Sequence, residues 1–409
     1  MLTKLFSTLT MFSIALSGSL SADLNSDLST LTKDHTAFAF SLYPNLDVAG
    51  DNLVFSPYSI STCLSMVYLG AREDTQSEMQ STLHLELDRK TLAKTAYALN
   101  QSLLPKQTTE KTYQLNMANA IWIDQGTFLL TDFRYAIEEQ FKSKLGILNF
   151  EMTPTALSTI NNWISEQTQG KIPNLLNPND IDELTRLVLT NAVYFQGAWV
   201  SPFNPKATNV APFHPTPETS VNVKMMHQTF FTSYYENGLM QALSLPFTGV
   251  TNGDSNLAFL LLLPKSADNF STMIDEFSKS YSEWISSLRP FNIDLSLPKF
   301  TFSSRYDLQK PLQDLGMHDP FGSNANFTGI DGMRDLFLNK VVHQAFFALD
   351  ENGVTAAAAT AASMNVTSAL PSEPPIQFVA DHPFLFLIID LKSQEMLFMG
   401  KVVQPSDIK

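Results

Sequence analysis

The sequence predicts one large α+β domain whose sheets are mostly antiparallel. Three observations support this prediction. Helical periodicity dominates the first third of the chain, strand-like runs dominate the last half, and no Gly/Ser linker, repeat or long charge run divides the 409 residues. The chain is 44% hydrophobic, which is enough for a large core. We therefore expect residues 23–409 to fold as a single domain.

Residues 1–22 have the pattern of a signal peptide. Lys4 gives the basic start, and the apolar run that follows is too short to span a bilayer as a stop-transfer helix. Small residues then predict cleavage after Ser21 or Ala22. The alternative is an apolar N-terminal helix of the mature fold. We expect a secreted or extracellular protein, or a periplasmic one if the source is bacterial, and no later segment has a transmembrane pattern.

Charge and cysteine content exclude several classes of protein. The net charge is −14 and the pI is about 4.9, so a nucleic-acid groove or a heparin-type site is not expected as a global property. We interpret the acidity as a contribution to solubility. A lone cysteine, Cys63, rules out an internal disulfide framework and is expected to pack in a helix. No metal site, cofactor or catalytic residue is predicted.

Helices and short strands alternate in the first half. Asp27 to Leu42 reads as a helix and Asn52 to Phe55 as a strand. Ser56-Pro57 then gives an N-cap and a first helical position, and Gly70 ends that helix. Five further elements follow, which are helices at Asp74–Leu83, Thr91–Leu104, Phe133–Phe141 and Thr153–Gly170, and a strand at Tyr113–Ile123.

Strands dominate the remainder of the chain. Their apolar, β-branched and aromatic runs are Leu187–Phe195, Leu257–Leu263, Asn292–Phe302, Leu336–Leu349, Phe384–Ile389 and Met396–Val403.

A tract of very small side chains, Glu351 to Ala362, follows the strand at Leu336–Leu349. In an arbitrary protein, such a tract would be a solvated linker or an alanine-rich helix. If it were a strand, its side chains would alternate between two faces, and no residue from Val354 to Ala361 is charged or large. Gly353 would supply backbone freedom where the chain turns.

Six segments in order resemble the serpin family: Asn52–Ile60, Thr190–Trp199, Leu297–Phe300, His343–Gly353, Asp381–Phe384 and Phe398–Val402. Each match is weak alone, but their order and spacing are highly specific. The resemblance implies the serpin fold, with three β-sheets, about nine helices and an exposed reactive-centre loop. The hinge and loop would occupy about residues 351–375.

The resemblance also implies roles for particular residues. The hinge, which inserts as a new strand into a sheet after cleavage, would comprise Glu351, Gly353, Val354, Thr355, Ala356, Ala357, Ala358, Ala359 and Thr360. A buried polar "shutter" that holds the closed sheet would comprise Ser56, Ser59, Asn191 and His343. A "breach" at the top of the sheet would comprise Trp199, Lys299 and Glu351, with Lys299 and Glu351 as an ion pair.

The resemblance places the scissile bond about sixteen residues after the hinge glutamate, because the inserted strand must carry the protease across the molecule. Counting from Glu351 gives Thr367–Ser368, and a slip of one residue gives Val366–Thr367. Counting back from Pro383-Phe384 instead suggests a bond within residues 369–372. A small or β-branched residue suits an elastase-like protease.

Other loop residues bear on the target and on accessibility. Leu370 or Met364 at the bond would suit a chymotrypsin-like protease, and the absence of Lys and Arg from residues 353–375 argues against trypsin-like targets. Asn365 begins a glycosylation sequon, as do Asn100, Asn269 and Asn326. A glycan at Asn365 would obstruct a docking protease.

These features predict a monomeric suicide-substrate inhibitor that forms a covalent complex with its target protease and has no nucleic-acid or membrane partner. One alternative is a non-inhibitory serpin with a carrier, chaperone or storage role. Val354 stands where the family usually has Thr or Ser, and Thr355 stands where it usually has Glu. Both residues are nevertheless small and uncharged. A hydrolase is the other alternative, but its common motifs are absent. The segment Asp88–Lys106 has too few basic residues for a glycosaminoglycan site.

Overall fold

The computed structural model describes residues 3–107, 113–355 and 374–405, with side chains described from residue 23 onward. The predicted α+β fold is confirmed. The α-helices in these ranges are α1 Thr3–Leu46, α2 Pro57–Tyr68, α3 Glu73–Thr82, α4 Arg89–Leu103, α5 Thr131–Tyr135, α6 Thr153–Gln167, α7 Phe270–Lys279, α8 Tyr281–Ser287, α9 Gln309–Asp314 and α10 Thr328–Asp331. A π-helical turn, Ala136–Gln140, continues α5.

Fifteen strands lie within the described ranges. They are β1 Leu53–Phe55, β2 Gln114–Asp124, β3 Lys144–Leu148, β4 Leu187–Ala198, β5 Asn209–Thr216, β6 Thr219–Glu236, β7 Met240–Pro246, β8 Leu257–Pro264, β9 Arg289–Pro298, β10 Phe300–Asp307, β11 Lys340–Asp350, β12 Gly353–Val354, β13 Ile376–Val379, β14 Phe384–Asp390 and β15 Met396–Val402.

The six-stranded sheet carries the candidate site. Its strand order is β10-β11-β12-β4-β2-β3, and β11 also pairs directly with β4. This direct pairing is parallel and joins residues 340–346 to residues 188–194. We call this interface the seam. At its upper end the two strands separate, and β12 lies between them.

The other strands form one nine-stranded sheet rather than the two further sheets implied by the resemblance. The reason is β6, whose residues up to Met225 pair with β5 and whose residues from Met225 onward pair with β9 and, near its end, with β7. A strand expected at residues 292–302 is two strands in different sheets. Lys299 separates them, and its amide donates to the Lys224 carbonyl.

The main core lies between the two sheets. All residues of α2, β14 and β15 are buried, including the polar residues that interrupt their largely apolar sequences. The α2 start is as predicted, since the Ser56 side chain accepts the Ser59 amide and Pro57 is the first helical residue. Cys63 is buried in α2, and burial raises the pKa of its thiol. None of the helices in the described ranges is long and apolar enough to cross a membrane.

A second apolar cluster lies on the opposite face of the six-stranded sheet. There α6 and the segment that follows it, residues 168–186, pack over β2, β4 and β11. We call α6 and this segment the lid. The lid covers the seam between β4 and β11.

Candidate functional site

The first residues of the hinge already lie inside the six-stranded sheet. After β11 ends, the chain reverses through Glu351-Asn352, and β12 pairs antiparallel with both neighbours. Val354 lies between Leu349 and Gly197. Its side chain is fully buried, on the core-facing side that the alternation predicted. The sheet is therefore open by one short strand at its upper end.

Gly353 is required here for two reasons. Its φ of +151° lies in a region that L side chains rarely adopt. A Cβ at this position would also lie 2.0 Å from the Gly197 carbonyl oxygen on β4. The sequence predicted backbone freedom at Gly353, whereas the close approach to β4 could not be read from it.

Thr355 is where the extended conformation ends. Its amide donates to the Ala348 carbonyl at 2.6 Å, but its φ is +48°, which is unusual for a β-branched residue. Its hydroxyl is buried and has no hydrogen-bond partner among the residues that the structure describes. The remaining predicted hinge residues, Ala356 to Thr360, and the predicted reactive bonds at Val366, Thr367 and Ser368 lie outside the described residues.

Glu351 is tied to two other chain segments. Lys299 Nζ lies 2.6 Å from its Oε2, and Thr208 Oγ1 donates to its Oε1 at 2.8 Å. Burial opposes ionisation of Glu351, but these hydrogen bonds outweigh burial and leave the pKa of the carboxyl below its ordinary value. The predicted ion pair therefore forms and is mostly buried, with side-chain exposures of 23% for Lys299 and 9% for Glu351. Thr208 was not predicted.

Trp199 holds the backbone of the reversal in place. Its indole Nε1 donates to the Asp350 carbonyl at 3.1 Å, and its amide donates to the Asn352 carbonyl at 2.9 Å. The ring stacks on Phe247, with centroids 4.8 Å apart. The Phe203 amide donates to the Glu351 carbonyl. The turn at the top of the sheet is thus fixed mainly through its carbonyl groups.

A buried polar row crosses the middle of the seam. His343 on β11, Asn191 on β4 and Asn119 on β2 are direct neighbours in register. His343 Nδ1 contacts Asn191 Oδ1, and Asn191 Nδ2 lies 2.7 Å from Ser59 Oγ. The Ser59 hydroxyl donates to Asn119 Oδ1 at 2.8 Å. The row therefore links three strands of the sheet to α2.

The hydrogen bonds of His343 define its protonation. The Ser56 amide donates to Nε2 at 3.1 Å, so Nε2 must be unprotonated, and Nδ1 donates to Asn191. Complete burial lowers the pKa of His343 to about 3. The four residues predicted for the shutter are thus all in this network. Asn119 was missed, although it alternates with the apolar residues Met117 and Ile121 on a predicted strand.

The predicted sequons differ in their surroundings. Asn326 is 3% exposed and its side-chain oxygen accepts hydrogen bonds from Thr328, so it is inaccessible to a glycosyltransferase in the folded protein. Asn100 and Asn269 are partly exposed, and Asn365 lies outside the described residues. Within the described ranges, no cluster of three or more His, Cys, Asp or Glu side chains could hold a metal ion.

Known proteins resemble this chain over most of its length. Residues 33–405 match the family model described as Serpin (serine protease inhibitor). The leukocyte elastase inhibitor of Bos taurus is 36% identical over 92% of this chain and 99% of its own length. An uncharacterized serpin-like protein of Thermococcus kodakarensis is 36% identical over 91% of this chain and 85% of its own. Among solved structures, Serpin48 of the insect Tenebrio molitor has a TM-score of 0.81 at 29% identity, over 93% of this chain and 99% of its own.

Proposed function

This chain belongs to the serpin family, and we propose that it is a suicide-substrate inhibitor of an endopeptidase. The observation that carries the proposal is the pairing of Gly353 and Val354 between β11 and β4, above a seam that is otherwise closed. The hinge has a place in the sheet before any cleavage. Further insertion requires that this pairing continue downward and that β11 and β4 separate along the seam.

The register of β12 allows that continuation along the whole seam. Extended from Val354, the pairing with β11 and the pairing with β4 both place Ser363 level with Lys340 and Val188, where the seam ends. No residue from Val354 to Ser363 is charged or larger than valine. A strand of these residues would therefore fit between two strands that are already packed.

In the proposed reaction, the protease nucleophile attacks the carbonyl carbon of Thr367. The bond from Thr367 to the Ser368 nitrogen breaks, Ser368 leaves as an amine that takes up a proton, and the protease becomes acylated. Insertion then carries the acylated protease to the far end of the sheet and distorts its active site before water can release it. Val366–Thr367 is the alternative bond. The inhibitor itself contributes no catalytic group, and its native state is protected by a kinetic barrier.

We infer an elastase-like or chymotrypsin-like target. The name of the cattle relative supports the former, as does a small or β-branched residue at the bond. The partner is the protease in a covalent complex with one inhibitor molecule, and we expect a monomer in its absence.

We also propose export by the signal peptide at residues 1–22. Residues 23–30 are exposed or half-buried, and the packing of α1 into the main core begins at Leu31. Removal of residues 1–22 would thus leave the described core intact. Sequencing the mature N-terminus from an expressing cell should give a start at Ala22 or Asp23, and an intact N-terminus on the folded protein would contradict export by this peptide.

The test of inhibition is incubation with an elastase, a chymotrypsin and a papain-like protease, followed by a denaturing gel and mass mapping. We expect a band at the summed mass, and a released peptide that begins at Ser368 or Thr367. Cleavage within residues 356–373 by all three proteases without such a band would support the non-inhibitory alternative. Turnover of a substrate by the chain itself would support a hydrolase.

A further inference from the structure

The lid contacts both sides of the seam. Its apolar residues Ile172, Leu175, Leu176 and Ile181 belong to one buried cluster with Val188 and Ala192 of β4 and Val342 of β11. The lid continues directly into β4, so one of its ends moves with that strand. Any ties between the lid and β10 or β11 therefore cross the seam.

Asp180 provides such ties. One of its carboxylate oxygens contacts the guanidinium of Arg305 on β10, and the other lies 3.1 Å from Lys340 Nζ at the start of β11. Arg305 Nε also donates to the lid carbonyl of Leu175 at 2.6 Å. Side-chain exposures are 10% for Asp180, 26% for Arg305 and 17% for Lys340. Charges this far from solvent are screened less than surface pairs.

The surroundings hold these charges in place. The Asn177 amide donates to Asp180 Oδ2 at 2.7 Å, which fixes the carboxylate within the lid. Burial works against the Lys340 ammonium, but its hydrogen bonds to Asp307 and Asp180 outweigh burial and raise the pKa of Lys340. Lys340 therefore stays charged at neutral pH. We call Asp180, Arg305 and Lys340 the clasp.

Lys340 of the clasp stands at the level that an inserting strand reaches last, whereas the backbone of Arg305 is level with Gln344, four residues further up the seam. The extended register places Ser363 beside Lys340, and a new strand must hold its neighbours about 4.8 Å away on each side. β4 and the lid must then separate from β10 and β11 by about one strand width. The ion pairs of Asp180 lie across the gap that has to open.

We propose that Asp180 is a positioning residue that keeps the lower seam closed and limits the rate at which a strand can fill it. This inference rests on the proposed insertion of the hinge. It adds that opening the lower end of the seam must break the ion pairs of Asp180 as well as the apolar packing of the lid.

The test uses Asp180→Asn, with Asp254→Asn as the matched control. Asp254 pairs with Lys106 with exposures of 69% and 48%, so the control removes one exposed ion pair outside the lid. A labelled synthetic peptide with the sequence of residues 355–366 is incubated with the full-length native protein, and its uptake is followed on native gels. We expect Asp180→Asn to take up peptide about tenfold faster than wild type, the ratio that about 1.4 kcal/mol of barrier produces. The control should match wild type.

Melting temperatures separate the clasp from a merely structural role. Asp180→Asn should lower the melting temperature of the native protein but leave that of the loop-cleaved, inserted protein unchanged, and Asp180→Glu should restore slow uptake. Equal lowering of both melting temperatures, or uptake no faster than wild type, would overturn the proposal. If the wild type traps a protease covalently but Asp180→Asn and the wild type take up peptide at equal rates, the clasp is refuted and the inhibitory function is not. If Asp180→Asn takes up peptide faster but the wild type traps no protease, the inhibitory function is refuted and the clasp is not.

Discussion

The two ends of the seam are held in different ways. At the upper end, β11 and β4 are separated by two residues of the hinge, and most contacts there are backbone hydrogen bonds that a longer inserted strand would keep. At the lower end, β11 and β4 pair directly, and side chains tie them together. Asn339 is an example, since its Oδ1 accepts the amides of Arg186 and Leu187 at 2.9 and 3.1 Å.

This difference gives insertion a direction. Each residue by which β12 extends replaces part of one ladder, between β11 and β4, with parts of two ladders, so backbone hydrogen bonding does not oppose insertion. Each step also brings the incoming strand closer to the buried polar row and then to the clasp. The barrier to insertion is therefore concentrated in the middle and lower seam, and substitutions should have different effects at the two ends.

The largest effect is expected from Val354→Arg, which breaks the upper end. An unpaired charge in the fully buried Val354 site costs several kcal/mol, so the hinge should leave the sheet and the yield of covalent complex should fall about 100-fold or more. The gel assay with elastase measures this yield. Val354→Thr should retain trapping, and Val210→Arg, at a site that is 69% exposed, should match wild type. Normal trapping by Val354→Arg would show that this site does not need to be buried.

Asn191→Ala should weaken the middle of the seam. It removes the partner of His343 Nδ1 and one of the two partners of the Ser59 hydroxyl, and an unsatisfied buried polar group costs about 1–3 kcal/mol. We expect the free energy of unfolding of the native protein to fall by about 2–4 kcal/mol, since more than one buried group loses a hydrogen bond. Asn116→Ala is the control, because Asn116 lies on β2 and its buried Nδ2 has no hydrogen-bond partner in the described part of the chain. Denaturant titration of the two variants provides the comparison.

His343 should make the middle of the seam sensitive to acid. Its pKa is about 3 in the folded protein and about 6.5 when unfolded, so between these values the unfolded chain binds more protons. Stability should therefore rise with pH across this window and fall on acidification, by at most about 1.4 kcal/mol per pH unit from this residue. The measurement is the difference in slope between wild type and His343→Gln, with His227→Gln as the control. Equal slopes would contradict a neutral, buried His343.

The smallest effect is expected at the breach. Thr208→Val removes one hydrogen bond to Glu351 and leaves the Lys299 pair intact, so the native protein should lose about 1 kcal/mol. Thermal melting measures the loss, with Glu236→Gln, which breaks an exposed pair with Lys265, as the control. If Thr208→Val lost more stability than Asn191→Ala, the upper end of the seam would contribute more to stability than the middle, which would contradict the proposed order.

The sequence predicts those parts of the molecule that have a local signature. The Ser56-Pro57 cap, the apolar strands and the small residues of the hinge are each encoded in neighbouring positions. Asp180 and Thr208 have no such signature, because their partners Arg305 and Glu351 lie more than 120 residues away and are polar residues among many. Asn119 is intermediate, since the apolar residues that alternate with it were a signal for a buried polar residue that the sequence analysis missed, and they carry no information about its partners.

The most direct measurement is a crystal structure of the protein after cleavage within residues 356–373. If the hinge inserts as proposed, β4 and β11 will be separated along the whole seam, and Ser363 will lie level with Lys340 and Val188. The ion pair between Asp180 and Lys340 will be broken or displaced. If residues 340–346 still pair directly with residues 188–194 in the cleaved protein, the loop does not insert and the proposed mechanism is wrong.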